Sequence, residues 1–84
     1  MNMFIVCIKD RTIDSFGQPH VFKSVGEAER SFRDLANDKE NAIGRHPEDY
    51  DLYLVATYDT DTGVFTNVEH IHALARGSDQ VRNN

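Results

Sequence analysis

Residues 24–38 read SVGEAERSFRDLAND and form the best-marked element of the chain. Ser24, followed three residues later by Glu27, makes a capping box, in which each side chain satisfies a free backbone N–H group at the start of a helix. Apolar residues then recur at spacings of three and four, which gives a helix one apolar stripe for packing on a core. The pattern predicts a helix over residues 24–38, and its stripe consists of Val25, Ala28, Phe32, Leu35 and Ala36.

The segment before this helix begins with a buried strand. Residues 3–8 are a nearly continuous apolar run, typical of a strand covered on both faces, and we expect Cys7 within it to be a buried core residue. Residues 10–18 are polar and predict an exposed loop or arm. Residues 20–23 predict a short edge strand, because a proline just before them is tolerated only at the edge of a sheet.

The segment after the helix predicts a β-hairpin. Residues 52–58 alternate in side-chain direction, so that Leu52 and Tyr58 share one face of a strand and Tyr53 lies on the other. A turn over residues 59–63 leads into a return strand over 64–66. Residues 69–76 fit either a short helix ended by Gly77 or another extended segment.

The order of these elements predicts an α+β fold, with a small antiparallel sheet of three to four strands and one main helix, residues 24–38, packed on it. The chain has 84 residues, which is enough for one hydrophobic core, so we expect a single domain over residues 1–84. Residues 78–84 predict a frayed tail. A domain of this size often gains stability from a partner, and we expect a homodimer.

Charge is distributed unevenly along the chain. The formal net charge is −5, which disfavours non-specific binding to nucleic acid because such binding depends on cations that displace counterions from phosphates. Residues 1–33 hold five basic and four acidic residues, whereas residues 34–84 hold four basic and ten acidic ones. A locally basic face is therefore expected in the first half. No apolar stretch reaches the about 18–20 residues of a membrane span, so we expect a cytoplasmic protein with no membrane partner.

Catalytic and metal-binding patterns are missing from the sequence, and we expect neither an enzyme nor a cofactor. It contains no Gly-rich phosphate loop, no nucleophile elbow and no His-Glu-x-x-His motif. Asp59-x-Asp61-x-Gly63 lacks the later oxygen ligands of a calcium loop, and a hairpin turn explains it better. His70-x-His72 lacks the third and fourth ligands that a transition-metal site needs. We predict no catalytic residues and no metal site.

One set of residues suggests binding to nucleic acid. Proteins that bind single strands combine cations that follow the phosphate backbone with aromatic rings that stack on bases. The alternative is that the two arginines have a structural role. Arg33 lies four residues after Glu29, and Arg30 lies four residues before Asp34, so each arginine can form an ion pair within the helix. The predicted DNA-binding residues are Lys9, Arg11, Phe16, Lys23, Arg30 and Arg33.

A linear succession of short motifs resembles a known protein family. Its parts are Gln-Pro between Phe16 and Phe22, Leu-Ala-Asn-Asp at 35–38, His-Pro-Glu-Asp-Tyr at 46–50 leading into Leu-Tyr, and Tyr-Asp at 58–59 followed by Thr-Gly and Phe65. The succession covers residues 3–77 and resembles the small nonstructural protein of gokushoviruses, which are tailless single-stranded-DNA bacteriophages of the microvirus family.

The resemblance implies a role in handling viral DNA. Members of that family are described as DNA-binding or associated with DNA synthesis, and they are made during infection without becoming part of the virion. It thus implies a nonstructural protein in the cytoplasm of the bacterial host that binds DNA, expected to be single-stranded, and assists viral DNA replication or packaging. The alternative is a protein-interaction module that acts on viral replication or assembly proteins without contacting DNA.

Overall fold

The computed structural model describes residues 1–82 and contains one antiparallel sheet with a helical layer on one face. The strands are β1 (Asn2–Asp10), β2 (Ser15–Phe16), β3 (His20–Phe22), β4 (Tyr50–Asp59) and β5 (Val64–Arg76), and the helices are α1 (Val25–Ala36), α2 (Ala42–Arg45), a 3-10 turn (Pro47–Asp49) and α3 (Gly77–Gln80). No helix within residues 1–82 combines the length and the apolar character needed to cross a membrane.

The sheet confirms the predicted α+β class but has five strands rather than three or four. β1 lies at its centre, with β4 on one side and the two short strands β2 and β3 on the other, while β5 pairs with the outer side of β4. The additional strand arises because the predicted loop over residues 10–18 turns back on β1 and pairs with its end at Ser15–Phe16. Residues 69–76, for which the sequence fits either a short helix or an extended segment, are extended and form part of β5.

Helix α1 begins where the capping box predicts. The Ser24 hydroxyl oxygen accepts a hydrogen bond from the Glu27 backbone N–H at 3.1 Å. The apolar stripe packs on the sheet, so that Ala28 and Phe32 form the core with Val6 and Leu52. Within residues 1–82, α1 is the one long helix, and each of the other helical segments has three or four residues. The prediction of a single main helix therefore fits only loosely.

The β4–β5 hairpin confirms the predicted turn over residues 59–63. The Gly63 N–H donates to the Asp59 carbonyl oxygen at 2.8 Å, and the Asp59 side chain accepts from the Asp61 N–H at 2.8 Å. Gly63 has a φ of +73°, a conformation that glycine adopts without the steric cost of a Cβ. Asp59 thus shapes the turn, since its carbonyl oxygen and its carboxylate accept from the backbone N–H groups of Gly63 and Asp61.

A β-bulge in β4 changes which side chains share a face. Tyr53 pairs with Cys7 and Leu54 with Val6, but the next pair joins Ala56 to Ile5, which leaves Val55 as an extra residue. Because paired residues lie on the same face and β1 alternates regularly, Tyr58 lies on the same face as Tyr53. The sequence predicted that these two tyrosines lie on opposite faces, and the bulge is the reason for the difference.

Residues 78–82 differ from the predicted frayed tail. Gln80, in α3, accepts a hydrogen bond on its backbone oxygen from the Asn37 side-chain amide at 2.8 Å, and the Asn37 side-chain oxygen accepts from the Arg82 N–H at 2.9 Å. Asn37 is the C-terminal cap of α1, so one side chain ties the end of the long helix to the C-terminal segment. The last two residues of the predicted tail, 83–84, lie outside the described part of the chain.

Candidate nucleic-acid interface

The face of the sheet opposite α1 carries no helix among the described residues, and we call it the open face. The alternation of side chains along β1 decides which residues lie on this face. Val6 and Ile8 contact the core on the α1 side, so the alternate residues of β1 must face away from α1. Cys7 is buried there, which confirms the predicted core position, and burial raises the pKa of its thiol. The larger side chains of the open face are Met3, Ile5, Lys9, Phe16, Val21, Tyr53, Tyr58 and Phe65.

One end of the open face holds an aromatic–basic cluster formed by Lys9, Phe16 and Tyr53. β2 pairs Phe16 directly with Lys9, and the Lys9 Nζ atom lies 5.3 Å from the centre of the Phe16 ring. The Tyr53 ring meets Phe16 nearly edge to face, with ring centres 5.3 Å apart and an interplanar angle of 78°. Phe16 is 40% exposed. An accessible ring beside a cation is the combination on which a single-stranded base can stack while its phosphate meets the cation.

The cluster cation is neutralised in the free protein. The Lys9 Nζ atom lies 2.8 Å from the Asp14 carboxylate, which sits in the β1–β2 connection. The hydrogen bond between them is the main reason that the pKa of Lys9 is raised and the pKa of Asp14 is lowered from their ordinary values. Asp14 also has a φ of +52°, in the left-handed region that is uncommon for a residue other than glycine. A phosphate that binds Lys9 must therefore compete with Asp14.

The Asp14 carboxyl provides a pH-dependent signature of this pair. The pKa of Asp14 is lower in the folded than in the unfolded chain. Its carboxylate therefore stabilises the fold at pH values above the pKa of the unfolded chain, and this stabilisation is lost as the pH falls through the pKa of the folded chain. We expect an NMR titration to place the Asp14 pKa below 3.8, and Lys9→Met to return it toward that value. An Asp14 titration that is unchanged by Lys9→Met would mean that the pair does not form in solution.

Arg11 serves as a structural clamp at the same end of the sheet. Its Nη2 donates to the Glu48 carbonyl oxygen, its backbone N–H donates to the Asp49 carbonyl oxygen at 2.8 Å, and its Nε lies 3.6 Å from the Asp51 carboxylate. Asp51 is only 4% exposed, and its Oδ1 has no hydrogen-bond partner among residues 1–82. The predicted binding residue Arg11 is thus largely occupied in holding the β1–β2 connection to the start of β4.

The remaining predicted cations lie away from the cluster. Arg30 and Arg33 are exposed on α1, which packs on the opposite side of the sheet, and Lys23 is exposed just before that helix. The Arg33 Nε atom lies 3.4 Å from the Gln80 side-chain oxygen. The ion pairs expected within the helix are not seen among residues 1–82, and Asp34 pairs with Arg82 at 3.7 Å instead. The structure places Lys9 and Phe16 in contact, with Arg11 at the same end of the sheet but bound to other residues, and it separates the other three.

A second aromatic pair on the open face was missed from the sequence. Tyr58 and Phe65 face each other across the β4–β5 hairpin with ring centres 4.7 Å apart, and Phe65 is 65% exposed. The hairpin itself was predicted, so the cross-strand neighbours of its turn were the signal that could have identified this pair. Tyr53 was missed because its contact with Phe16 depends on the order of β2, β1 and β4 in the sheet.

The cavity between α1 and the sheet is an apolar part of the core. It has a volume of about 110 Å³ and is lined mostly by aliphatic and phenyl groups of α1, β1, β3 and β4. His20 and Ser31 are its only polar lining residues among those described. Acid–base or nucleophilic chemistry needs several groups in mutual contact, and this pair of residue types alone does not supply it.

A further cluster lies near the 3-10 turn. His46, Glu48 and Asp49 bring one possible metal ligand each to within 4.8 Å of one another. The side chains of His46 and Glu48 are both 62% exposed, which is the ordinary state of polar loop residues. Within residues 1–82, neither His70 nor His72 belongs to a group of three possible ligands. We therefore assign no metal to either position.

The family model described as "Phage ORF5 protein" matches residues 3–80, which is nearly the whole chain. The chain belongs to the phage ORF5 protein family. None of the curated proteins and none of the solved structures gives a significant match. Membership confirms the bacteriophage part of the predicted resemblance, while its assignment to gokushoviruses and the binding of DNA stay predictions.

Proposed function

We propose that this phage protein binds single-stranded DNA through the aromatic–basic cluster of its open face. The observation that carries the proposal is the position of the Lys9 ammonium beside the exposed Phe16 ring, on a sheet face that no helix covers among residues 1–82. Duplex DNA keeps its bases stacked inside the helix, whereas a single strand can place a base on such a ring. A strand crossing the face would stack on Phe16 and set a phosphate against Lys9.

The proposed role is that of a noncatalytic accessory protein in viral DNA synthesis or packaging. We place it in the cytoplasm of the bacterial host and outside the virion, and the finer assignment to gokushovirus-type microviruses belongs to the same proposal. A net charge of −5 and the competition from Asp14 imply weak, salt-sensitive binding rather than tight coating of the genome. Such binding suits a protein that joins nascent strands transiently.

The alternative is a protein-interaction module that acts on viral replication or assembly proteins without contacting DNA. The net charge favours it, and so do the exposed side chains of Val64 and Phe65, which are 54% and 65% accessible. The two functions differ in their response to salt. Binding to phosphates weakens steeply as salt rises, whereas an apolar protein interface does not.

Fluorescence anisotropy with a labelled single-stranded oligonucleotide tests the proposal. We expect binding at about 50 mM salt that falls sharply at about 200 mM. Phe16→Ala should weaken binding by about 5- to 150-fold, the equivalent of the about 1–3 kcal/mol that one stacked base contributes. A duplex of the same sequence should bind more weakly than the single strand.

Lys9→Met tests the cluster, and Arg30→Met is its matched control. Each variant removes one positive charge, but only Lys9 belongs to the cluster. We expect Lys9→Met to reduce affinity and Arg30→Met to leave it nearly unchanged. Equal losses from both variants would show that binding follows overall charge or the helix surface, and would refute the open face as the site. Absence of binding by the wild type at low salt would favour the protein-partner function.

A further inference from the structure

The outer edge of β5 is open, since no strand within residues 1–82 pairs with it. Free strand edges invite pairing with another chain, and natural proteins usually protect them with charged residues or proline. Residues 64–68 read VFTNV and contain neither. Beyond Asn67 the strand bulges, because four residues separate the pairs Asn67–Ala56 and His72–Leu54. The regular, uncharged stretch of the edge is therefore Val64–Asn67, next to the hairpin turn.

Apolar side chains are exposed along this same stretch. Val64 is 54% exposed and Phe65 is 65% exposed, and the Phe65 ring lies against Tyr58 on the inner strand. A monomer leaves this apolar surface in water at the point where the backbone edge is also free. A strand from another molecule would cover the apolar side chains and the free backbone edge together. A second copy of the chain supplies such a strand in its own β5.

We propose that two copies of the chain pair through residues 64–66 of β5, antiparallel to each other. Antiparallel pairing of identical edges requires a two-fold axis perpendicular to the sheet, which keeps the open faces of both copies on the same side. Residues that pair must lie on the same face, so Phe65 can oppose only an odd-numbered residue of this regular stretch. Opposition of Phe65 to Phe65 of the second copy buries the most apolar surface, and it places Val64 opposite Thr66.

This register gives a continuous row of four rings, formed by Tyr58 and Phe65 of each copy. Aromatic pairs across neighbouring strands stabilise antiparallel sheets. The paired segment is short, however, and a standard stable interface buries about 800 Å² per partner. Three residues on each side cover less than this, so the dimer forms only at high protein concentration.

Pairing also has a consequence that rests on the proposed function. It places two aromatic–basic clusters on one continuous face, where a single long strand of DNA can contact both. Binding at two linked sites gains affinity over either site alone without any new contact. A chain with an acidic net charge and one weak cluster per copy would thereby hold a long strand better than a short one.

Sedimentation velocity of the purified full chain across a range of concentrations tests the pairing without DNA. We expect the wild type to shift from monomer to dimer toward millimolar protein. Phe65→Glu should remain monomeric, because two like charges would then face each other across the edge. Ile13→Glu is the matched control, since Ile13 is 70% exposed in the β1–β2 connection and the substitution adds the same charge. A wild type that stays monomeric, or Phe65→Glu that dimerises equally, would overturn the proposal.

Cysteine cross-linking tests the register. Antiparallel partners have Cα atoms about 4.5–5.5 Å apart, within the range that a disulfide spans. Phe65→Cys should therefore form a dimeric disulfide under mild oxidation, whereas Val64→Cys and Thr66→Cys should not, since neither opposes itself. The native Cys7 is buried and contributes little background. Cross-linking at 64 or 66 in preference to 65 would contradict the proposed register. If sedimentation and cross-linking both show the dimer but no oligonucleotide binds, the dimer proposal stands and the proposed function fails.

Discussion

Replacing Gly77 by alanine should destabilise the protein by about 3 kcal/mol or more, at the upper end of what overpacking usually costs. Gly77 begins α3 and is buried against the 3-10 turn. A Cβ atom there would overlap the backbone carbonyl oxygen of Pro47 and crowd that of Tyr50 at 2.7 Å. Backbone atoms cannot rotate away as a side chain does, so α3 must move off the body. The hydrogen bond from Asn37 to α3 would be lost with it.

Gly26→Ala is the matched control for this substitution. Gly26 lies in the first turn of α1, where a Cβ would meet nothing closer than the Ser24 hydroxyl oxygen at 3.9 Å. Alanine is favoured over glycine in a helix by about 0.5–1 kcal/mol, so this variant should be more stable than the wild type. Urea denaturation followed by circular dichroism measures both. A Gly77→Ala variant with wild-type stability would mean that α3 does not pack on the 3-10 turn in solution.

The elements with local signals were predictable from the sequence. Ser24 and Glu27 mark the start of α1 through contacts three residues apart, and the turn before Gly63 carries its own hydrogen-bonding groups. Both depend on neighbours in the chain, which is what a sequence pattern records. The buried position of Cys7 follows similarly from the apolar run around it.

The features that were not predicted depend on contacts between distant segments. Nothing in the residues 52–58 marks Val55 as a bulge, because the extra residue is defined only by the register against β1. The C-terminal segment lacks a strong helix pattern, and it is ordered by Asn37, more than forty residues earlier in the chain. Gly77 resembled a helix terminator, whereas its role is to allow close approach of two backbones.

The candidate site shows the same division. Residue types alone selected Lys9 and Phe16, and the structure places them in contact. The residue types could not show that Asp14 neutralises Lys9 or that Tyr53 completes the cluster, since both contacts require β2 to fold back on β1. Separation of Arg30 from this face follows from the packing of α1 on the other side of the sheet. The sequence therefore selected two residues that the structure places in contact, but not the other residues around them, and their binding of DNA stays a prediction.

Arg11→Ala should lower the free energy of unfolding by about 2 kcal/mol, which tests whether Arg11 is held by Asp51 or is free to join the proposed DNA-binding site. Removing one partner of a fully buried ion pair costs about 3–5 kcal/mol, because the other charge stays buried without compensation. Asp51 is buried here but the Arg11 side chain is 47% exposed, so solvent screening reduces the expected loss. Lys23→Ala removes the same charge from an exposed position and should change stability by less than about 0.5 kcal/mol.

A double-variant cycle with Asp51→Asn separates the ion pair from the other contacts of Arg11. Once the buried charge is gone, Arg11→Ala should cost less than it does in the wild type, and the difference is the coupling energy of the pair. What remains reflects the hydrogen bond from Arg11 to the Glu48 carbonyl oxygen. An Arg11→Ala variant as stable as the wild type would show that the guanidinium is free in solution. In that case Arg11 would be available near Lys9, and the proposed DNA-binding site would extend past the end of β1.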